Sequence, residues 1–117
     1  MQNDGMIEML ATDLLDARDA ARTILLPRPD DPIDLEAGYR VGHVLHGRLV
    51  DRGYRPVGRK IGLTNRAMWD QFRASEPIWA HVYAQTVHHL DSGAPPLNLA
   101  GMAAPRLEPE VVLVTVP

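Results

Sequence analysis

The chain contains no cysteine. Disulfide staples, thiolate metal sites and a cysteine nucleophile are therefore excluded. Aromatic residues are scarce (two Trp, three Tyr and one Phe), so aliphatic side chains must supply most of any core. The balance of charge has no basic excess: twelve Lys and Arg against fifteen Asp and Glu give a net charge of −3. Non-specific nucleic-acid binding needs a basic face that displaces counterions, and this composition argues against it. No apolar run approaches the ~20 residues that span a bilayer. The first residues, Met1 to Glu8, lack the basic and apolar regions of a secretory signal. A cytoplasmic protein with no nucleic-acid or membrane partner is the expectation.

What is present fits a small folded unit. The 117 residues are 45% apolar and 23% charged, within the range of globular domains. Ten prolines and nine glycines imply frequent turns. From Ile7 through Leu10, Ala11, Leu14 and Leu15 to Ala21, Ile24 and Leu25 the apolar residues follow helical spacing. Pro27 ends that helix, and Pro27 to Pro32 reads as a loop. Asp34 has the character of an N-cap, Glu36 suits a first turn, and Val41, Val44, Leu45 and Leu49 form a second stripe. Gly53 fits the position just past a helix end. Residues 1–55 are thus read as a helical segment and 56–117 as the front of a β-rich domain. In the second part, Val57–Leu63 reads as a strand, Thr64 or Asn65 as the cap of a short helix ending near Phe72, and Ile78–Val87 as a second strand. Asp91 to Pro105 is a loop. Arg106 to Val116 is strongly β-prone and is expected to form a strand whose partners lie in further chain or another subunit.

Two features carry chemistry. Strand alternation puts Lys60 on one face with Gly58, Gly62 and Thr64. A lysine between two glycines has free space beside it, and glycine in a strand marks close approach of a ligand or another backbone. Such a cation can hold a carboxylate or an enolate. An ordinary lysine on an edge strand explains the same residues. Glu108 and Glu110 flank Pro109, and in an extended chain they point the same way, about 6–7 Å apart. Neighbouring carboxylates repel unless solvated or sharing a cation, and a hard divalent ion suits them. A frayed acidic strand start is the plain alternative, and two glutamates do not complete a metal site.

Other residues carry less. His43 and His46 are read as an exposed helix face, and His81, His88 and His89 as strand and loop surface. Gly53 to Lys60 lacks the Gly-Lys-Ser/Thr order of a phosphate loop. Ser75 and Ser92 have no nucleophile-elbow setting.

Gly58-Arg-Lys-Ile-Gly-Leu-Thr-Asn65, Glu76-Pro-Ile-Trp79 and Pro105-Arg-Leu-Glu-Pro-Glu-Val-Val112 occur in that order. Together they resemble the 2-keto-4-pentenoate hydratase / 4-oxalocrotonate decarboxylase family of the fumarylacetoacetate hydrolase superfamily. The resemblance covers nearly the whole chain and the front half or so of a typical member. It implies an α+β fold, with two N-terminal helices leading into a mixed β-barrel-like domain that is incomplete here. It implies Mg²⁺ or Mn²⁺ held by Glu108, Glu110 and a third acidic ligand some tens of residues further on. Lys60 corresponds to the active-site lysine, with Gly62 and Thr64 beside the substrate. The implied substrate is a short 2-oxo or 2-hydroxydienoic acid from aromatic catabolism, and the implied assembly is a homo-oligomer. Many members read Pro-Asp-Phe-Gly where this chain has Pro77-Ile78-Trp79-Ala80, so an acidic side chain is absent there. A non-catalytic relative that associates with itself or a longer partner, and a decarboxylase or C–C bond hydrolase of the same superfamily, are the alternatives.

Overall fold

The computed structural model describes residues 4–25 and 33–116. The Pro27 to Pro32 loop expected from the sequence lies outside the described residues. Helix α1 spans Asp4–Asp19 and helix α2 spans Leu35–Asp51. Strand β1 spans Pro56–Gly62, a 3₁₀ turn over Arg66–Met68 runs into the short helix α3 at Trp69–Phe72, and strand β2 spans Ile78–Tyr83. A last 3₁₀ turn covers Ala84–Thr86. The architecture is α+β. Among the described residues the sheet has two antiparallel strands, short of the expected barrel. No helix among them is long and apolar enough to cross a membrane.

The core is the seam between α1 and α2. Ile7, Ala11, Ala37 and Val41 are buried together, and Leu10, Leu14, Ile33, Val44 and Leu45 pack around them. Ala11 and Ala37 let the two helix backbones approach closely. Ion pairs border the seam: Arg40 with Asp4, Arg48 with Glu8 at 2.6 Å, and Arg52 with Asp19 at 2.6 Å. These partners advance in the same order along both helices, so α1 and α2 run side by side in the same direction.

The helix ends follow local chemistry. The Asp34 carboxylate accepts from the Ala37 backbone N–H at 2.7 Å, the expected N-cap. Gly53, at φ +86°, terminates α2, with Gly53 N bonded to the Val50 carbonyl and Tyr54 N to the Leu49 carbonyl. Helix α1 stops sooner than its apolar stripe predicts. Ala21 adopts φ +49°, and Ala21 N and Arg22 N bond back to the carbonyls of Arg18 and Ala17. This is the same closing motif, built on an alanine, and it leaves Ile24 and Leu25 beyond the helix.

The second half departs further from expectation. Asn65, one of the two expected caps, closes the turn that opens α3, accepting from Ala67 N at 3.1 Å. Strand β2 ends at Tyr83, four residues short, where the chain tightens into the 3₁₀ turn. The β-prone run 106–116 forms no strand among the described residues, and Leu107 is 95% and Val111 89% exposed. Propensity favours an extended backbone there. A strand also needs a neighbour to accept its backbone hydrogen bonds, and no ladder forms on it here.

Candidate active site on one face of the two-stranded sheet

Opposed residues of an antiparallel pair share a face. The register sets Lys60 across from Ala80, Arg59 across from His81, Ile61 across from Trp79 and Gly62 across from Ile78. A bulge between Pro56 and Gly58 absorbs one residue of β1, consistent with a proline that has no N–H to donate. The sheet therefore has two unlike faces. One carries Arg59, Ile61, Trp79, His81 and Tyr83. The other carries Gly58, Lys60, Gly62, Ile78, Ala80 and Val82.

The first face docks on α2. The Tyr39 and Trp79 rings lie 5.8 Å apart, and Trp79 N donates to the Tyr39 hydroxyl at 3.3 Å. The imidazoles of His46 and His81 stack at 3.8 Å, and His46 Nδ1 lies 2.9 Å from the Tyr83 hydroxyl. The Arg59 guanidinium sits 4.4 Å above the Trp79 ring. Gln85 ties the open end of the hairpin to the end of α2, donating to the Gly53 carbonyl at 2.9 Å and accepting from Arg55 N at 3.1 Å. His46 and His81 therefore do not lie on free surface, as their sequence spacing suggested. They are half-buried in this seam, whereas His43, His88 and His89 are exposed. Burial, and then charge repulsion from His46, Arg59 and His43, hold the His81 pKa below the ordinary histidine value.

The second face holds the candidate site. Lys60 stands among small neighbours: Ala80 lies opposite, a Cβ added at Gly58 would meet nothing within 4 Å, and one at Gly62 would meet Ile78 at 3.6 Å. The Glu108 and Glu110 side chains reach this face at Lys60. Lys60 Nζ donates to Glu110 Oε1 at 2.6 Å and lies 3.6 Å from Glu108 Oε2. Both carboxylates thus converge on one cation. The hydrogen bond to Glu110 dominates, and with the charge of Glu108 it raises the Lys60 pKa above the ordinary lysine value. Lys60 is accordingly an ammonium at neutral pH: a fixed positive charge and proton donor, not a base.

Gly62 lies on the face of Lys60, while Thr64 lies beyond the strand. Leu63 adopts φ +57°, which breaks the alternation after Gly62, and its carbonyl accepts from Trp69 Nε1 at 2.8 Å. Sequence alternation has no way to register that turn. Ala80 was also missed. It matters only as the residue opposite Lys60, a relation that strand register creates.

The donor set at this face suits a hard divalent ion in kind. Two carboxylates share one positive partner from the same side, with the Lys60 ammonium standing where a cation is wanted. Among the described residues no three His, Asp or Glu side chains are grouped to hold a metal.

No family model matches the chain. Curated relatives do. Over 115 residues the chain is 31% identical to a 2-keto-4-pentenoate hydratase of Paraburkholderia phymatum, a match covering 97% of this chain and 43% of that protein. It is 30% identical over 82 residues to a 4-oxalocrotonate decarboxylase of a Pseudomonas species, covering 70% of this chain and 31% of the relative. It is 28% identical over 116 residues to a 2-hydroxyhexa-2,4-dienoate hydratase of Comamonas testosteroni, again 97% of this chain and 43% of the relative. The chain therefore spans less than half the length of these relatives.

Proposed function

The chain belongs to the 2-keto-4-pentenoate hydratase / 4-oxalocrotonate decarboxylase family, and from that premise we propose that the Lys60 face is part of the active site of a metal-dependent hydratase acting on a short 2-hydroxydienoic or 2-oxoenoic acid. The observation that carries this reading is the convergence of Glu108 and Glu110 on Lys60 above a patch of glycine and alanine. A planar, anionic substrate needs flat open space and a fixed cation, and both occur on this face.

Glu108 and Glu110 would hold Mg²⁺ or Mn²⁺, with further ligands from the substrate and from residues outside this group. Bound there, the ion would supply Lewis-acid stabilisation of charge on the substrate oxygens. The Lys60 ammonium binds the substrate carboxylate or the oxygen that becomes an enolate. Because it stays protonated, it stabilises that developing charge and can give a proton to it. Gly58, Gly62 and Ala80 keep the approach clear. Ile78 offers an apolar wall at the same end as Gly62 and suits the hydrocarbon part of a dienoate. Water addition to the conjugated double bond completes the hydratase reading. A barrel-like domain around this sheet, made from further chain or from a second subunit in a homo-oligomer, completes the site.

The second reading is an associating relative without activity of its own, favoured by the exposed run Val111–Val114. One pair of measurements separates the two. The hydratase reading expects loss of the ultraviolet absorbance of a 2-hydroxydienoate in the presence of Mg²⁺ or Mn²⁺, abolished in Lys60→Ala. It also expects a thermal shift with the ion, since a ligand at 100 times its Kd adds about 2.7 kcal/mol. Turnover unchanged in Lys60→Ala refutes the role of Lys60. No shift and no turnover, with self-association, supports the associating relative.

A further inference from the structure

The seam between α2 and the sheet is built from titratable rings. The His46 and His81 imidazoles lie nearly parallel, 19° between planes at 3.8 Å, and both are half-buried. The other groups facing them are Tyr39 and His43 from α2, Arg59 from β1 and Tyr83 from β2. Tyr54 stands edge-on to Tyr83 at 5.8 Å, with the Arg18 guanidinium of α1 at 4.8 Å from the Tyr54 ring. The charges acting on His81 are all cationic. Two neutral imidazoles stack well, and a single added proton on the pair is tolerable. Two protons would place like charges face to face in a half-buried site already facing Arg59, with loss of both stacking and solvation.

We propose that the His46–His81 stack is an acid-released clasp that holds the helix pair on the sheet. Neutral, it closes the seam and fixes β2 through the Trp79 N–H to Tyr39 hydroxyl bond. Doubly protonated, it opens, while the apolar seam of α1 and α2, which contains no histidine, stays shut. The far side of β2 carries Ala80 opposite Lys60, so release also loosens the strand that backs Lys60. The clasp does not depend on the hydratase reading, because it involves neither Lys60 nor the glutamates.

The test is a histidine titration of the full chain by NMR, with amide hydrogen exchange at Trp79. The proposal expects His81, stacked on His46, to take up its proton below the ordinary histidine value. It expects Trp79 amide protection to fall about tenfold or more between pH 7.5 and 5.5, with Ala11 protection unchanged over the same range. His81→Phe keeps a ring against His46 and removes the second charge, so the Trp79 drop should vanish, whereas His43→Gln should retain it. His81 titrating at the ordinary histidine value overturns the proposal without recourse to any variant. So does a Trp79 drop that persists in His81→Phe.

Discussion

The two long helices close with the same motif on different residues, and this permits a matched test of opposite sign. In Gly53→Ala a Cβ is forced into the left-handed region at φ +86°, where it would meet nothing within 4 Å. The cost is then purely conformational. A non-glycine residue in that region costs about 1–2 kcal/mol. Glycine's greater freedom in the unfolded chain gives back roughly 0.5–1 kcal/mol. The net destabilisation is about 0–1.5 kcal/mol. Ala21→Gly runs the same exchange backwards at φ +49° and should stabilise by a similar or smaller amount. On a unit this size, about 1 kcal/mol moves Tm by roughly 4–8 °C. Urea unfolding followed by far-UV circular dichroism reads both variants, and their midpoints should move in opposite directions at constant slope. Two shifts of the same sign, or a stabilising Gly53→Ala, refute the argument that these backbone angles set the helix ends. A Gly53→Ala loss well above 2 kcal/mol would instead show that the Gly53 carbonyl, which accepts from Gln85, carries more of the docking than its cap does.

Other outcomes follow from the same structure. Removing the N-cap in Asp34→Ala should lower stability by about 1 kcal/mol in urea unfolding, and Asp34→Asn should recover most of it. Ile7→Ala opens the α1–α2 core at a residue 3% exposed and should cost about 2–4 kcal/mol by the same assay. The Lys60 pKa is raised above its ordinary value of 10.5 by Glu110 and Glu108, so the pairing is complete below that value and lost as pH climbs through the higher folded value. Lys60 is the one lysine of the chain, so its NMR resonance should titrate above the ordinary lysine value, and Glu110→Gln should bring it down. The exposed apolar residues of 111–116 predict self-association, seen as a concentration-dependent mass in light scattering. A strictly monomeric species at all concentrations would refute that expectation.

Local chemistry made much of the scaffold legible. Period-3.6 stripes marked both helices, Asp34 and Gly53 marked the ends of α2, and Gly58 and Gly62 marked the open space around Lys60. Two of the missed ends have one cause. Ala21 and Leu63 adopt left-handed angles that their side chains do not advertise, so the sequence carries no sign of either turn. The run 106–116 forms no strand here because β propensity describes a residue's preference and says nothing of whether an edge is available to receive it.

The site divides in the same way. Spacing alone put Glu108 and Glu110 on one side of an extended chain, because that geometry is set within three residues. That Lys60, some fifty positions earlier, meets both carboxylates is a tertiary fact. So is the apposition of Ala80, and so is the stacking of His46 on His81. Each depends on strand register and on how α2 lies against the sheet, and those are settled by the packing of the whole unit, which no local pattern encodes.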